Sequence, residues 1–292
     1  MAKKRKLKKL RFLKFLFFII LLGGALYLYG AYFEINNYKV REYKITSKKI
    51  TDDFDGFTIA HLSDIHYGRM IEKSELKQIV SMVNKVKPDV VVITGDLIDR
   101  DTKMTTDMAN EIADILLKIQ TNSGKYIIQG DHDTLFDEWE NIVKNSGFIN
   151  LNNTYDTIYN NSYDALFIAG ASSFINKESI NDKLQKATEY LNSFEKDGPL
   201  YNILLLHEPD YIDDLEKNKF DLILAGHSLN GQVNIPFYGA FITPEGAKKY
   251  YKNHYNINDH DLYISNGLGV MKYDFRLFNT PSFNVYRLIK DA

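Results

Sequence analysis

Acidic and imidazole side chains stand directly after five apolar, strand-like runs of this chain. The segments that carry them are residues 63–66, 95–100, 130–133, 207–209 and 226–232, and they contain His66, His132, His207 and His227, four of the seven histidines. Carboxylate and imidazole ligands together suit Mn, Fe or Zn. The chain has no cysteine, which excludes disulfides, thiolate metal sites and a cysteine nucleophile.

Each segment alone has an ordinary explanation, since Gly-Asp after a strand usually marks a turn and a lone buried histidine is usually hydrogen-bonded. Their recurrence at strand ends is the informative feature. Ligands of open α/β sheets bind at the carboxyl ends of the strands, so these distant loops are predicted to converge on one site. A metal pair there, about 3.5–4 Å apart, would clamp a phosphate and hold a hydroxide for in-line attack.

The elements that must position these side chains follow from hydrophobic periodicity. Apolar runs predict strands at 38–45, 57–62, 89–94, 125–129, 165–169, 202–206, 221–225, 233–235, 262–265 and 284–288. Helical periodicity predicts helices at 74–85, 106–120 and 137–145 and one long helix at 180–194. This alternation predicts a layered α/β fold with largely parallel, buried strands. No linker divides residues 57–292, which predicts one domain.

The N-terminus predicts a membrane anchor. Residues 1–14 hold eight basic side chains and no acidic one, and residues 15–33 form an uncharged apolar run. At 1.5 Å per residue this run spans roughly 28 Å, about one bilayer core. The positive-inside rule places the basic arm in the cytoplasm and residues 34–292 outside. Residues 34–56 are predicted to be a tether and a first strand.

Two alternatives to a signal anchor are less consistent with the sequence. A cleaved signal peptide is disfavoured because the apolar run is long and no clear small-x-small cleavage site follows it. A buried core helix is disfavoured by the eight flanking charges. Without the basic arm, the chain holds 28 basic and 38 acidic side chains, a net charge of −10. Such an acidic body argues against a nucleic-acid partner.

The ordered motifs D-x-H, G-D-x-x-D-R, G-[N/D]-H-D, H-x-P and G-H-S-x-x-G-Q resemble those of the calcineurin-like metallophosphoesterases. The membrane anchor and the tail, residues 235–239 and 263–269, resemble the bacterial YkuE/YaeI-like branch. The resemblance covers roughly residues 55–290. It implies a four-layer α/β/β/α sandwich with two divalent metal ions at the strand ends.

The resemblance also implies roles for individual residues. Asp64 and His66 would bind the first metal and Asp96 would bridge both metals. Asp131, His207 and His227 would bind the second metal. His132 would protonate the leaving alkoxide or stabilise charge on the phosphate, with Asp99 orienting it. Tyr67, Arg69 and Asn230 are candidate substrate contacts by loop proximity only.

Two positions depart from the family pattern. Asp131 stands where the family usually has asparagine, and Leu229 stands where it usually has a second histidine ligand. Leu229 cannot bind a metal, so the first site lacks one protein ligand unless a water or the Asn230 side chain replaces it. With three aspartates, two divalent ions and a hydroxide the total charge is zero, against +1 with asparagine at position 131. These changes predict a tight second site and a weak first site.

The function predicted from these features is hydrolysis of a phosphomonoester or phosphodiester by a metal-activated hydroxide. The substrate is predicted to be associated with the membrane or envelope. The alternative is a membrane-tethered scaffold that keeps the fold without turnover, for which Leu229 is the evidence. Retention of Asp96, Asp99 and His132 favours the enzyme. A nuclease is a third option, disfavoured by the acidic body.

Overall fold

The computed structural model describes residues 2–174, 178–194, 201–215, 219–257 and 260–291. The α-helices in these ranges are α1 (Ala2–Leu28), α2 (Lys73–Val86), α3 (Thr106–Leu116), α4 (Trp139–Ser146), α5 (Ile180–Lys183) and α6 (Gln185–Asn192). The strands are β1 (Lys39–Ser47), β2 (Thr58–Leu62), β3 (Val90–Thr94), β4 (Gly124–Ile128), β5 (Ile149–Asn150), β6 (Thr154–Tyr159), β7 (Ala165–Gly170), β8 (Tyr201–Leu206), β9 (Leu222–Ala225), β10 (Asn234–Ile235), β11 (Gly239–Ala240), β12 (His254–Ile257), β13 (His260–Ile264) and β14 (Ser282–Lys290).

Twelve of these strands form two six-stranded sheets. The first has the order β1-β14-β2-β3-β4-β5 and the second the order β12-β13-β9-β8-β7-β6, while β10 and β11 form a separate pair. In the first sheet only β14 and β2 pair antiparallel, and in the second sheet only the edge strands β12 and β6 do. The predicted largely parallel α/β arrangement is therefore confirmed.

The two sheets pack face to face, as the alternation of side chains along β3 shows. Val90 and Val92 lie in the core between the sheets, whereas Val91 and Ile93 lie in the core beneath α2, α3 and α4. A third core packs α5 and α6 against the outer face of the second sheet. Successive side chains of a strand point to opposite faces, so a strand covered on both sides is apolar throughout. The layers are α/β/β/α, which confirms the expected fold class.

Two predicted helices differ from the structure. The long helix expected at 180–194 is broken between α5 and α6, where Leu184 leaves helical geometry at φ −96° and ψ 8° and buries its side chain in the third core. The helix expected to reach residue 120 ends at Leu116. Asn84 terminates it, because its side chain donates to the Lys118 carbonyl and accepts from the Gln120 N–H. Periodicity detects neither tertiary contact.

The N-terminal helix is long and apolar enough to cross a membrane. Residues 7–36 have a mean hydropathy of 2.1 over their most apolar window, and that window is not buried against the domain. The end of this segment contacts the domain. Gly30 packs against Phe275, and its carbonyl accepts a hydrogen bond from the Arg276 N–H. The Glu34 carboxylate accepts hydrogen bonds from the Phe278 and Asn279 amides. Strand β1 then pairs with β14 along its whole length.

One buried histidine of the core lies outside the metal-binding motifs and has a predictable effect on stability. His61 is fully buried, with its ring nitrogens against the Thr94 and Tyr286 hydroxyls. Burial lowers the pKa of His61 from 6.5 to about 3. Folding therefore favours the neutral ring. Protonation of His61 does not reduce the free energy of unfolding above pH 6.5, and it reduces that free energy progressively as the pH falls from 6.5 toward 3.

We expect the free energy of unfolding to fall by up to about 1.4 kcal/mol per pH unit below pH 6 because of His61, and this slope to be smaller in His61→Gln. The measurement is urea denaturation of the full chain in detergent with chelator at pH 7 and pH 5. The fluorescence of the single tryptophan, the buried Trp139, reports unfolding. Equal pH dependence of the two proteins would contradict the assignment.

Candidate metal centre

The five segments singled out in the sequence meet where the two sheets face each other. Three of them follow β2, β3 and β4 of the first sheet, and two follow β8 and β9 of the second. The loops after β2 and β3 run side by side, since the Asp64 and His66 amides donate to the Gly95 and Asp96 carbonyls. The predicted convergence at the carboxyl ends of the strands is what the structure shows.

The six expected metal ligands form two groups that share one residue. Within each group, one candidate ligand atom from each residue lies within 4.8 Å of the others. One group is Asp64, His66 and Asp96, and the other is Asp96, Asp131, His207 and His227. The sharing of Asp96 is the arrangement that a bridging carboxylate needs.

Two backbone carbonyls orient the histidines of the larger group. His207 Nδ1 lies 2.6 Å from the Thr94 carbonyl oxygen, and His227 Nε2 lies 2.7 Å from the Glu245 carbonyl oxygen. Each of these nitrogens must carry its proton to donate to a carbonyl. When the rings are neutral, their lone pairs are on His207 Nε2 and His227 Nδ1, which face each other at 3.2 Å. A cation between such lone pairs removes their repulsion.

The spacing of the donor atoms fits a metal ion. His207 Nε2 lies 3.4 Å from Asp96 Oδ2 and 3.5 Å from Asp131 Oδ1, and His227 Nδ1 lies 3.4 Å from the same Asp131 oxygen. Ligands at about 2.1 Å from a tetrahedrally coordinated ion are about 3.4 Å apart. The spacing of these side chains therefore fits the divalent metal ion that the fold implies.

Three atoms aimed into the centre, His66 Nε2, Asp96 Oδ2 and Asp131 Oδ1, are buried without a hydrogen-bond partner in the described part of the chain. Burial raises the pKa of Asp96, but the His207 ring outweighs this effect and holds the pKa below its usual range. Burial lowers the pKa of His207, and Asp96 and Asp131 together raise it well above 6.5. Buried carboxylates of this kind need positive charge beside them, which protons or metal ions can supply.

Strained backbone places several of these side chains. Asp64, His66, Asp96 and His227 have φ values of 50°, 50°, 53° and 64°, in the left-handed region that costs non-glycine residues free energy. Gly95, at φ 91°, makes a close crossing possible, because a Cβ atom there would lie 2.6 Å from the Gly130 Cα atom. Such strain concentrates at functional sites.

A third group consists of His66, Asp99 and His132. Asp99 Oδ2 lies 3.3 Å from His66 Nδ1 and 3.8 Å from His132 Nδ1, so it is closer to the candidate metal ligand than to the histidine it was expected to orient. His132 instead contacts Arg100, which approaches Nδ1 through its backbone N–H at 3.1 Å and Nε2 through its Nε at 2.8 Å. Burial lowers the pKa of His132 to about 4, although Asp96 opposes this.

Position 229 is close to the first group but supplies no ligand. Leu229 is fully buried. A Cβ atom added to Gly267 would lie 3.0 Å from both the Leu229 Cγ atom and the Asp64 Cβ atom, so these two side chains are close neighbours. The Asn230 side-chain oxygen accepts a hydrogen bond from Asn234. The Asn230 side-chain oxygen is thus already hydrogen-bonded in this structure, and it does not replace the missing metal ligand.

Two of the candidate substrate contacts have structural partners. The Tyr67 hydroxyl donates to Glu111 at 2.9 Å and the residue is buried. The Arg69 guanidinium donates to the Asp274 carboxylate and to the Lys272 carbonyl. These contacts brace the loop that carries His66 and leave neither side chain free for a phosphate in this structure.

Sequence reasoning missed two arginines of the site. Arg100 is half exposed at the rim, and its Nη2 donates to Asp131 Oδ2 at 2.8 Å. Its place directly after Asp99 was a usable signal. Arg276 is fully buried and donates to the carbonyls of Gly267 and Gly269, which lie against Asp64 and His66. No local sequence pattern predicts that Arg276 is buried beside residues 64–66, which are more than two hundred positions earlier in the chain.

Comparison with known proteins agrees with this geometry. Residues 57–231 match the family model described as calcineurin-like phosphoesterase. An uncharacterized metallophosphoesterase of Bacillus subtilis, YkuE, is 31% identical over 92% of this chain and 91% of its own length. A transmembrane protein with a metallophosphoesterase domain from Danio rerio is 27% identical over 86% of this chain and 57% of its own.

Another relative is the phosphodiesterase YaeI of Escherichia coli, which is 23% identical over 82% of this chain and 84% of its own length. The match to the family model and the similarity to YkuE both extend over most of the chain. The aspartate and histidine groups at the strand ends point to the same family. The chain belongs to the calcineurin-like phosphoesterase family.

Proposed function

We propose that this protein hydrolyses a phosphate ester at a two-metal centre that is held by Asp64, His66, Asp96, Asp131, His207 and His227. The observation that carries the proposal is the shared carboxylate of Asp96, which belongs to both groups of ligand atoms. When bound, a metal pair polarises the phosphoryl oxygens and lowers the pKa of an attacking water. In hydrolysis the water oxygen forms a bond to phosphorus, the bond from phosphorus to the leaving oxygen breaks, and the leaving oxygen takes up a proton.

The protein side chains have separate tasks in this proposal. Asp99 Oδ2, 3.3 Å from His66 Nδ1, favours the proton on that nitrogen, which leaves the Nε2 lone pair free for a ligand. His132 lies beside this pair and contributes either a proton to the leaving oxygen or a hydrogen bond to the phosphoryl group. The contact of His132 with Arg100 must open for either task, because the guanidinium covers Nε2 in this structure.

We expect Mn²⁺-dependent hydrolysis of bis(p-nitrophenyl) phosphate by the full chain. Loss of the shared carboxylate in Asp96→Asn and loss of the imidazole in His132→Ala should each lower kcat by about a hundredfold or more. The measurement is p-nitrophenolate release. The matched control is Asp261→Asn, a surface aspartate of β13, which should keep wild-type activity.

The alternative of a scaffold without turnover rests on Leu229, which is buried where the first site lacks a donor. Absence of hydrolysis with Mn²⁺, Fe²⁺ and Zn²⁺, in protein shown to bind metal, would favour the scaffold. Activity that survives both Asp96→Asn and His132→Ala would refute the proposed centre.

We expect the two metal sites to differ in affinity, because the second has four protein ligands and the first has three. Calorimetric titration of metal-stripped chain with Mn²⁺ should show one tight and one weak step. Leu229→His should tighten the weak step by about tenfold or more, since histidine tolerates the φ of 44° at this position better than leucine. Leu229→Met, of similar volume, is the control. Two equally tight steps in the wild type would contradict this expectation.

The proposed location is the outer face of a cell membrane, with the basic N-terminus in the cytoplasm. The apolar segment ends at the domain, so the domain must lie close to the bilayer. We expect protease added to spheroplasts to cleave the domain without lysis, because the positive-inside rule places it outside. A cytoplasmic protein serves as the control for integrity. Protection of the domain until lysis would reverse the topology.

A further inference from the structure

An apolar cavity of about 590 Å³ lies beside the end of the membrane helix. One wall comes from the helix itself, through Tyr27. The other walls come from the segment after the last metal-ligand loop and from the segment near residue 273, and they include Val233, Phe241, Ile242, Met271 and Phe275. The volume lies within the range of sites that hold small apolar ligands.

The cavity adjoins the candidate metal centre through two stretches of chain. Gly231 and Gln232 line it and follow His227 by only a few residues. A Cβ atom added to Gly269 would lie 2.9 Å from the His66 Cβ atom, and Met271, two residues further on, lines the cavity. Two residues span at most about 7 Å. The wall of the cavity at Met271 is therefore separated from His66 by only a short stretch of chain.

The segment that contributes Phe241 and Ile242 to the cavity carries exposed apolar side chains. Phe237, Tyr238, Phe241 and Ile242 are exposed within one short segment that follows Gln232. Exposed apolar patches of this kind mark interaction surfaces, including membrane surfaces. Tyr27 belongs to the aromatic side chains near the far end of the apolar run, where the bilayer interface is expected. If the apolar run spans a bilayer, Tyr27 places the cavity near the level where lipid headgroups meet acyl chains.

Charged groups fix the wall that faces the centre. Arg69, three residues after His66, donates to the Lys272 carbonyl and to the Asp274 carboxylate, and both of these residues line the cavity. The Lys272 ammonium adds a cation at the wall, which suits an anionic headgroup. The apolar walls and the cation together describe the chemistry of an anionic amphiphile.

We propose that this cavity holds the alkyl chain of a membrane lipid phosphoester while its phosphate occupies the metal centre. The N-terminal helix points to this occupant, because a cavity that a membrane-length helix lines through Tyr27 would lie close to the bilayer. This inference rests on the proposed function and narrows its substrate class to phosphate esters of lipids.

The first test compares two phosphodiesters that share one leaving group, hexadecyl p-nitrophenyl phosphate and ethyl p-nitrophenyl phosphate. The full chain is assayed in nanodiscs with Mn²⁺. We expect kcat/KM to be at least about tenfold higher for the hexadecyl ester, chiefly through KM, because burial of each methylene favours binding. Equal values for the two esters would overturn the inference and leave the proposed function standing.

Phe241→Asp places a charge at the exposed edge of the cavity. It should remove the preference for the hexadecyl ester and keep hydrolysis of the ethyl ester within about twofold, which also shows that the variant is folded. Tyr163→Asp is the matched control, since Tyr163 is an exposed aromatic residue that does not line the cavity. An equal loss on both esters in Phe241→Asp would contradict a site specific for the chain.

A second test does not depend on turnover. Hexadecyl phosphate with a diazirine at the end of its chain is photolysed with the protein, and the labelled peptides are identified by mass spectrometry. We expect label on residues 231–242 and 271–275, removed by excess unlabelled hexadecyl phosphate. Label confined to α1 would overturn the inference. Specific label without hydrolysis of either ester would support the chain-binding site and refute the proposed function.

Discussion

The Asp96 carboxylate is buried between the two sheets, and its charge must be balanced there. Its Oδ2 atom lies 3.7 Å from His66 Nε2 and 3.4 Å from His207 Nε2. One of these rings follows a strand of the first sheet and the other follows a strand of the second. An unpaired buried charge is too costly for a folded protein to retain. The packing of the two sheets is therefore tied to the need for positive charge beside Asp96.

The same constraint explains where the polypeptide is strained. Four candidate ligands adopt left-handed backbone conformations that aim their side chains at a common point. The surrounding layers hold this geometry, because the apolar core between the sheets fixes the strand ends. Strain of this kind persists when neighbouring structure determines it. A cation held at this centre would offset part of that cost by pairing with the carboxylates.

A continuous set of contacts links the membrane segment to the centre. The Gly30 carbonyl and the Glu34 carboxylate bind the segment around Arg276. The buried guanidinium of Arg276 in turn holds the carbonyls of Gly267 and Gly269, which lie against Asp64 and His66. Burial lowers the pKa of Arg276 to about 10, which leaves it charged at neutral pH. The end of the N-terminal helix and the loops of the candidate metal centre are thus linked through one buried segment.

The sequence by itself determined the fold class, the membrane-length helix and the residues that meet at the strand ends. These features depend on local patterns, because an uninterrupted apolar run and the turn that follows it lie within a few neighbouring residues. Tertiary structure decided what depends on distant partners. It placed Asp99 nearer to His66 than to His132, it set Arg100 against Asp131, and it broke the predicted helix at Leu184.

The unequal numbers of ligands at the two candidate metal sites also show what the sequence determined and what the tertiary structure decided. The sequence identified Leu229 as a residue that cannot bind a metal, since side-chain chemistry needs no coordinates. Only the structure showed that Asn230 is bonded to Asn234 and does not substitute for it. Likewise the apolar cavity joins Tyr27 to residues more than two hundred positions away. Which side chains meet across such separations is decided by the packing of the layers, and no local sequence pattern records it.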